Sequence, residues 1–152
     1  MPSSPAGSRW PPASSTVQSS GPSVRASFGR LDTTAVETRI RTLDEFRRFL
    51  DVASEHVSEM GNPAVVLQHP NGSSLSFAWN ESHAFLSWID PLEVAYSSEG
   101  GAPLDFLVFG YFGNWSEAPG EALVPIENGL ECVRAYLETG TPEPAGVRFV
   151  PD

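Results

Sequence analysis

A chain of 152 residues with a formal net charge of −10 and not one lysine has the length of a single domain. The charge is unevenly placed: residues 1–48 hold seven arginines against four carboxylates, whereas residues 49–152 hold two against fifteen, a local net of −13. A body this acidic repels nucleic acid and anionic membrane and is steered towards a basic protein.

Cys132 is alone, which excludes an intramolecular disulfide and points to a reducing, cytoplasmic setting. No window approaches a membrane-spanning apolar run, and Met1 to Gly21 lacks the continuous apolar segment of a secretory signal.

Residues 1–30 are dominated by Ser, Pro, Gly and Ala, a composition that buries too little apolar surface to offset its ordering entropy. They are expected to form a disordered tail, leaving one domain over 34–150. Thr34 to Ile40 alternates Val36, Thr38 and Ile40 and predicts a short first strand, placed at a sheet edge. Thr42-Leu43-Asp44-Glu45 is a capping box, with a hydroxyl at the N-cap and a carboxylate three residues on. The helix it opens carries Leu43, Phe46, Leu50, Ala53, Val57 and Met60 on one stripe, and Gly61 with Pro63 predicts its stop.

Asn71-Gly72 between two extended apolar runs predicts a β-hairpin, since both residues accept positive φ. Two more strands are expected at 84–89 and 92–97, the second with Leu92, Val94 and Tyr96 on one side. Leu104 to Phe112 is apolar on both alternating faces, which predicts a strand covered on both sides at the centre of the sheet. The connection after it, 113–119, reads as irregular and sets Trp115 beside Glu117. Residues 121–124 predict a brief extended piece. A second helix from Pro125 or Ile126 buries Ile126, Leu130, Val133 and Leu137 and ends at Thr139-Gly140. Residues 146–150 form a last strand. The order predicts an α+β fold, a mainly antiparallel sheet with two amphipathic helices packed against it.

Catalytic chemistry is hard to find in this chain. His56, His69 and His83 have no metal-ligand spacing, so neither a metal nor another cofactor is expected. Cys132 falls off the apolar stripe of its helix, beside Glu131 and with no nearby cation except Arg134, and reads as a spectator. G-x-S-x-G, P-loop and G-x-G-x-x-G signatures are all lacking. The aromatics say more. Trp79, Trp88, Tyr96 and Tyr111 read as core, whereas Trp115 lies in a polar, acidic connection with the composition of an interface hot spot.

The C-terminal half carries Phe109-Gly110-Tyr111-Phe112-Gly113, Ser116-Glu117-Ala118-Pro119 and Val124-Pro125-Ile126. These lead into a helix closing on Tyr136-Leu137-Glu138-Thr139-Gly140-Thr141-Pro142-Glu143-Pro144, then Val147-Arg148-Phe149. With the upstream helix and Asn-Gly hairpin, this order resembles immunity-protein family 1 of bacterial polymorphic toxin systems over about residues 36–150. Phe149 stands where that pattern carries a tryptophan, and an aromatic still closes the domain.

The resemblance implies a non-enzymatic cytoplasmic antidote that binds a cognate toxin domain, often a nucleic-acid deaminase or nuclease. Charge and loop placement, not the family pattern, single out Trp115, Glu117 and Glu121, with Glu93, Glu99 and Asp105 beside them, as the toxin-binding residues. A second reading is a small-ligand-binding or hydrolytic domain with a pocket between sheet and helix, lined by His83 or His69 and a carboxylate.

Overall fold

The computed structural model describes residues 22–30 and 34–152. Strands β1 (Val24–Gly29) and β2 (Ala35–Ile40) come first, followed by helix α1 (Leu43–Ser54). The next four strands are β3 (Val65–Gln68), β4 (Ser74–Trp79), β5 (His83–Ile89) and β6 (Ala95–Glu99). Then come β7 (Phe106–Tyr111), β8 (Asn114–Pro119), β9 (Val124–Pro125), α2 (Ile126–Thr139) and β10 (Arg148–Pro151). The main sheet runs β10-β6-β5-β4-β3-β1-β2, with β9 added beside β5; β7 and β8 form a separate two-stranded sheet, and Gly110 of β7 is bridged to Pro63. The assembly is α+β with an antiparallel sheet, as predicted.

The period-2 alternation of the strands decides which layer each residue joins. Phe28, Leu67, Leu75, Phe77, Trp79, Leu86 and Trp88 face one way and form the main core with Phe46 and Leu50 of α1 and Leu130, Val133 and Tyr136 of α2. Phe46 meets Phe77 edge to face at 5.2 Å. Ala64, Ala78 and Phe85 face the other way and pack against Leu107, Phe109 and Ala118 of the β7–β8 hairpin. Two helices therefore cover one face of the sheet and a hairpin covers the other.

Local signals account for the helices. Thr42 Oγ1 accepts from the Glu45 amide at 3.1 Å while Glu45 Oε1 accepts from the Thr42 amide at 3.3 Å, a complete capping box. In α2, Gly129 lets the helix sit low on the sheet: a Cβ there would stand 2.8 Å from Ala84 Cβ and 3.2 Å from Phe77 Cε2. Gly140 ends that helix in the left-handed conformation at φ 83°.

Five expectations are corrected. Residues 24–29, assigned to a disordered tail, form β1 between β2 and β3, with Val24, Ala26 and Phe28 fully buried; residues 1–21 lie outside the described residues. The Leu104–Phe112 run is not the central strand, because β7 lies in a two-stranded sheet against the face of the larger one. Helix α1 stops at Ser54, and Val57 is 60% exposed. Its predicted last turn gives way to a tight Ser58–Gly61 turn that passes so close to β7 that a Cβ on Gly61 would lie 2.7 Å from the Val108 carbonyl. The strand expected at 92–97 begins only at Ala95, because Asp90 Oδ1 accepts from the Leu92 and Val94 amides and holds that segment as a turn. Cys132 is fully buried, since α2 also buries the row Gly129–Cys132–Tyr136 beside its predicted stripe.

Candidate interaction surface

The segment read as an irregular connection is strand β8, joined to β7 by the two-residue loop Phe112-Gly113. Both loop residues have positive φ, 49° and 87°, the type I′ geometry whose twist suits a tight hairpin. A phenylalanine in that conformation is strained, and it is held by packing on β1: a Cβ on Gly29 would come within 2.5 Å of Phe112 Cα.

Register then sorts the hairpin's two faces. Leu107 and Ala118 are opposite partners and point to the sheet, with the Phe109 ring tilted against Phe85 at 6.0 Å. Phe106, Val108, Trp115, Glu117 and Pro119 take the outer face, paired as Phe106↔Pro119, Val108↔Glu117 and Gly110↔Trp115. Phe106 is 49% and Trp115 54% exposed, so the outer face presents two large aromatics to solvent. The Trp115 indole N–H donates to Glu117 Oε2 at 3.0 Å, which fixes ring and carboxylate side by side.

Three more predicted residues reach one end of this hairpin through backbone pairing. The Gly100 amide donates to the Glu121 carbonyl at 2.7 Å, Ala102 to Gly120 at 3.0 Å, and Gly120 to Asp105 at 3.0 Å. Residues 99–105 and 119–122 thus lie side by side, placing Glu99, Asp105 and Glu121 near the Phe106↔Pro119 end. Glu99 pairs with Arg148 at 3.3 Å, so its charge is partly offset. Glu93 does not join them: it sits at φ 68° in the turn that precedes β6, at the opposite end of that strand from Glu99. Phe106 was missed because a run apolar on both faces reads as core; the Phe-Gly loop between two extended segments was the available signal for a hairpin.

A groove of about 590 Å³ opens between the 99–103 loop, the start of α2 and the approach to β10, and His83, Glu99, Asn128 and Arg148 are among its lining residues. His83 Nδ1 hydrogen-bonds the Ser82 hydroxyl at 2.8 Å, and Glu99 is held by Arg148. His69 is elsewhere, at the β3–β4 turn, where its Nδ1 accepts from the Asn71 amide at 3.0 Å and its ring meets Tyr136 edge-on at 5.6 Å. Burial and then the neighbouring Glu131 push the Cys132 thiol up to about 12, so it is no thiolate at neutral pH. Among the described residues, no group of three or more His, Cys, Asp or Glu is placed to hold a metal ion, and no helix is long and apolar enough to cross a membrane.

An acidic α+β domain with an exposed aromatic hairpin face has the makings of a protein-binding module. The family model of immunity protein Imm1 matches residues 34–151, and the chain belongs to that family. Membership makes it an immunity protein, whose partner is a toxin. The match begins at β2, so β1 is a strand of this chain's sheet that lies ahead of the matched region. No curated protein and no solved structure matches the chain.

Proposed function

We propose that the protein neutralises a cognate polymorphic toxin, a nucleic-acid-targeting deaminase or nuclease, in the bacterial cytoplasm by laying the outer face of β7–β8 over the toxin's active site. The observation that carries this reading is the exposed pair Phe106 and Trp115 on one hairpin face, with Glu117 bonded to the indole and Asp105 and Glu121 at its end. A toxin that acts on a polyanion needs a basic cleft, and carboxylates compete with phosphates for it. Aromatic side chains supply a buried anchor that purely charged contacts lack, and they dominate affinity when centred in such a patch.

A small-ligand or hydrolytic role would rest on the groove beside His83. There Glu99 is tied to Arg148 and His83 Nδ1 to Ser82, so each already has a partner other than the other. The toxin reading has the stronger support.

Its test is co-expression of the tagged chain with the product of the adjacent upstream gene. Retention of that protein, and survival of cells that it otherwise kills, is the expected result. A harmless neighbour that does not co-purify would overturn the proposal.

A further inference from the structure

Strand β2 ends the main sheet on the side opposite β10. Among the described residues β2 pairs only with β1, and its other edge has no partner strand among them. The Arg30 amide donates to the Thr34 carbonyl at 2.8 Å, which makes 30/34 a hydrogen-bonded pair. Continuing by twos through the register, Val36, Thr38 and Ile40 turn their backbone groups towards β1. Glu37 and Arg39 therefore point theirs at the edge away from β1.

That edge has the sequence Val36-Glu37-Thr38-Arg39-Ile40, which is complementary to itself when reversed. An antiparallel copy centred on Thr38 sets Glu37 opposite Arg39 of the copy and Arg39 opposite its Glu37. Val36 then meets Ile40 on the helix-covered face, where Ile40 is already buried. The two opposed pairs are also those whose backbone groups have no strand partner among the described residues, so charge pairing and hydrogen bonding fall in the same register. Inside one chain, by contrast, Arg39 stands directly opposite Arg25, a like-charge pair; Glu37 reaches Arg25 only diagonally at 3.7 Å. A second Glu37 on the far side of Arg39 relieves that juxtaposition.

We propose that β2 is the interface of a two-fold homodimer, β2 against β2 with Thr38 on the axis, which joins the two sheets into one. The inference rests on charge complementarity along the strand and is independent of the toxin-binding face.

Sedimentation equilibrium of the full chain, alone and without toxin, tests it. The wild type is expected to be a concentration-dependent dimer. Glu37→Arg and Arg39→Glu each place like charges opposite one another twice, and should weaken dimerisation about tenfold or more. The double variant E37R/R39E exchanges the pairs and should restore the dimer, a rescue that general misfolding would not give. A wild type that stays monomeric overturns the proposal, as do single reversals that dimerise like the wild type. A monomeric wild type whose toxin binding is lost in E37R overturns it too, and assigns the edge to the toxin.

Discussion

The Trp115 indole donates to the Glu117 carboxylate at 3.0 Å on a strand face open to solvent. An exposed tryptophan held in one orientation has little entropy left to lose when a partner covers it. Trp115→Ala should therefore weaken toxin binding by about 2 kcal/mol, roughly thirtyfold, as expected for a central aromatic anchor. Titration calorimetry against the toxin reads the affinity. The thermal midpoint should hardly move, since Trp115 is 54% exposed.

Gly129 separates two effects of opposite sign. Alanine gains about 1 kcal/mol in helix propensity, but its Cβ would stand 2.8 Å from Ala84 Cβ. The clash offsets most of that gain, so Gly129→Ala should be near neutral or slightly destabilising. Gly129→Val gains less propensity than alanine and adds more bulk at the same contact, and should cost about 2 kcal/mol by overpacking. Urea unfolding of both variants measures the difference.

The Tyr136 hydroxyl donates to the Ser73 carbonyl at 3.0 Å and meets the Ser73 hydroxyl at 3.0 Å, tying α2 to the start of β4. Its phenol is pushed up to about 12 by burial, with the Ser73 bond acting against that. Tyr136→Phe removes one partner from buried Ser73, whose hydroxyl still donates to Asn71 Oδ1 and whose carbonyl still accepts from the His69 amide, and should cost about 1 kcal/mol. The urea midpoint should fall with no change in slope.

His69 gives the fold a pH dependence with a definite sign. Burial lowers its pKa below 6.5, the Asn71 side chain pulling the other way, and Nδ1 accepts from the Asn71 amide, a role only the unprotonated nitrogen can fill. The unfolded chain takes up the proton at about 6.5 before the folded one does. Stability is therefore full above that pH and declines as pH falls below it, towards the folded-state pKa. Chemical denaturation of the wild type and His69→Gln across that range should show a flatter profile for the variant. Parallel profiles would remove His69 as a cause.

The signals that proved legible in the sequence were local ones. The Thr42–Glu45 box and the Asn71-Gly72 turn act through neighbours in the chain, and both elements formed where expected. What failed depended on distant partners. Val24, Ala26 and Phe28 alternate correctly, yet their strand is stabilised by pairing with β2 and β3, which a Ser- and Pro-rich context hides. Helix α1 ends at Ser54, ahead of Gly61, and Gly61 serves instead in a turn packed close against the Val108 carbonyl of β7. The two-faced apolar run at 104–112 predicts a central strand covered on both sides. The fold supplies one cover, through Leu107 and Phe109, and leaves Phe106 open. Glu117 was placed correctly beside Trp115, whereas Glu93 sits apart because sequence distance says little about which end of β6 a turn occupies.

The most direct measurement is the affinity of the cognate toxin for the wild type and for the double variant Glu117→Arg/Glu121→Arg, read at low and moderate salt. Both carboxylates are exposed, so the variant should fold normally, as circular dichroism would show. The account predicts a tight, salt-weakened complex for the wild type and at least a tenfold loss for the variant. A folded variant that binds the toxin as tightly as the wild type would contradict the claim that this hairpin face covers the toxin.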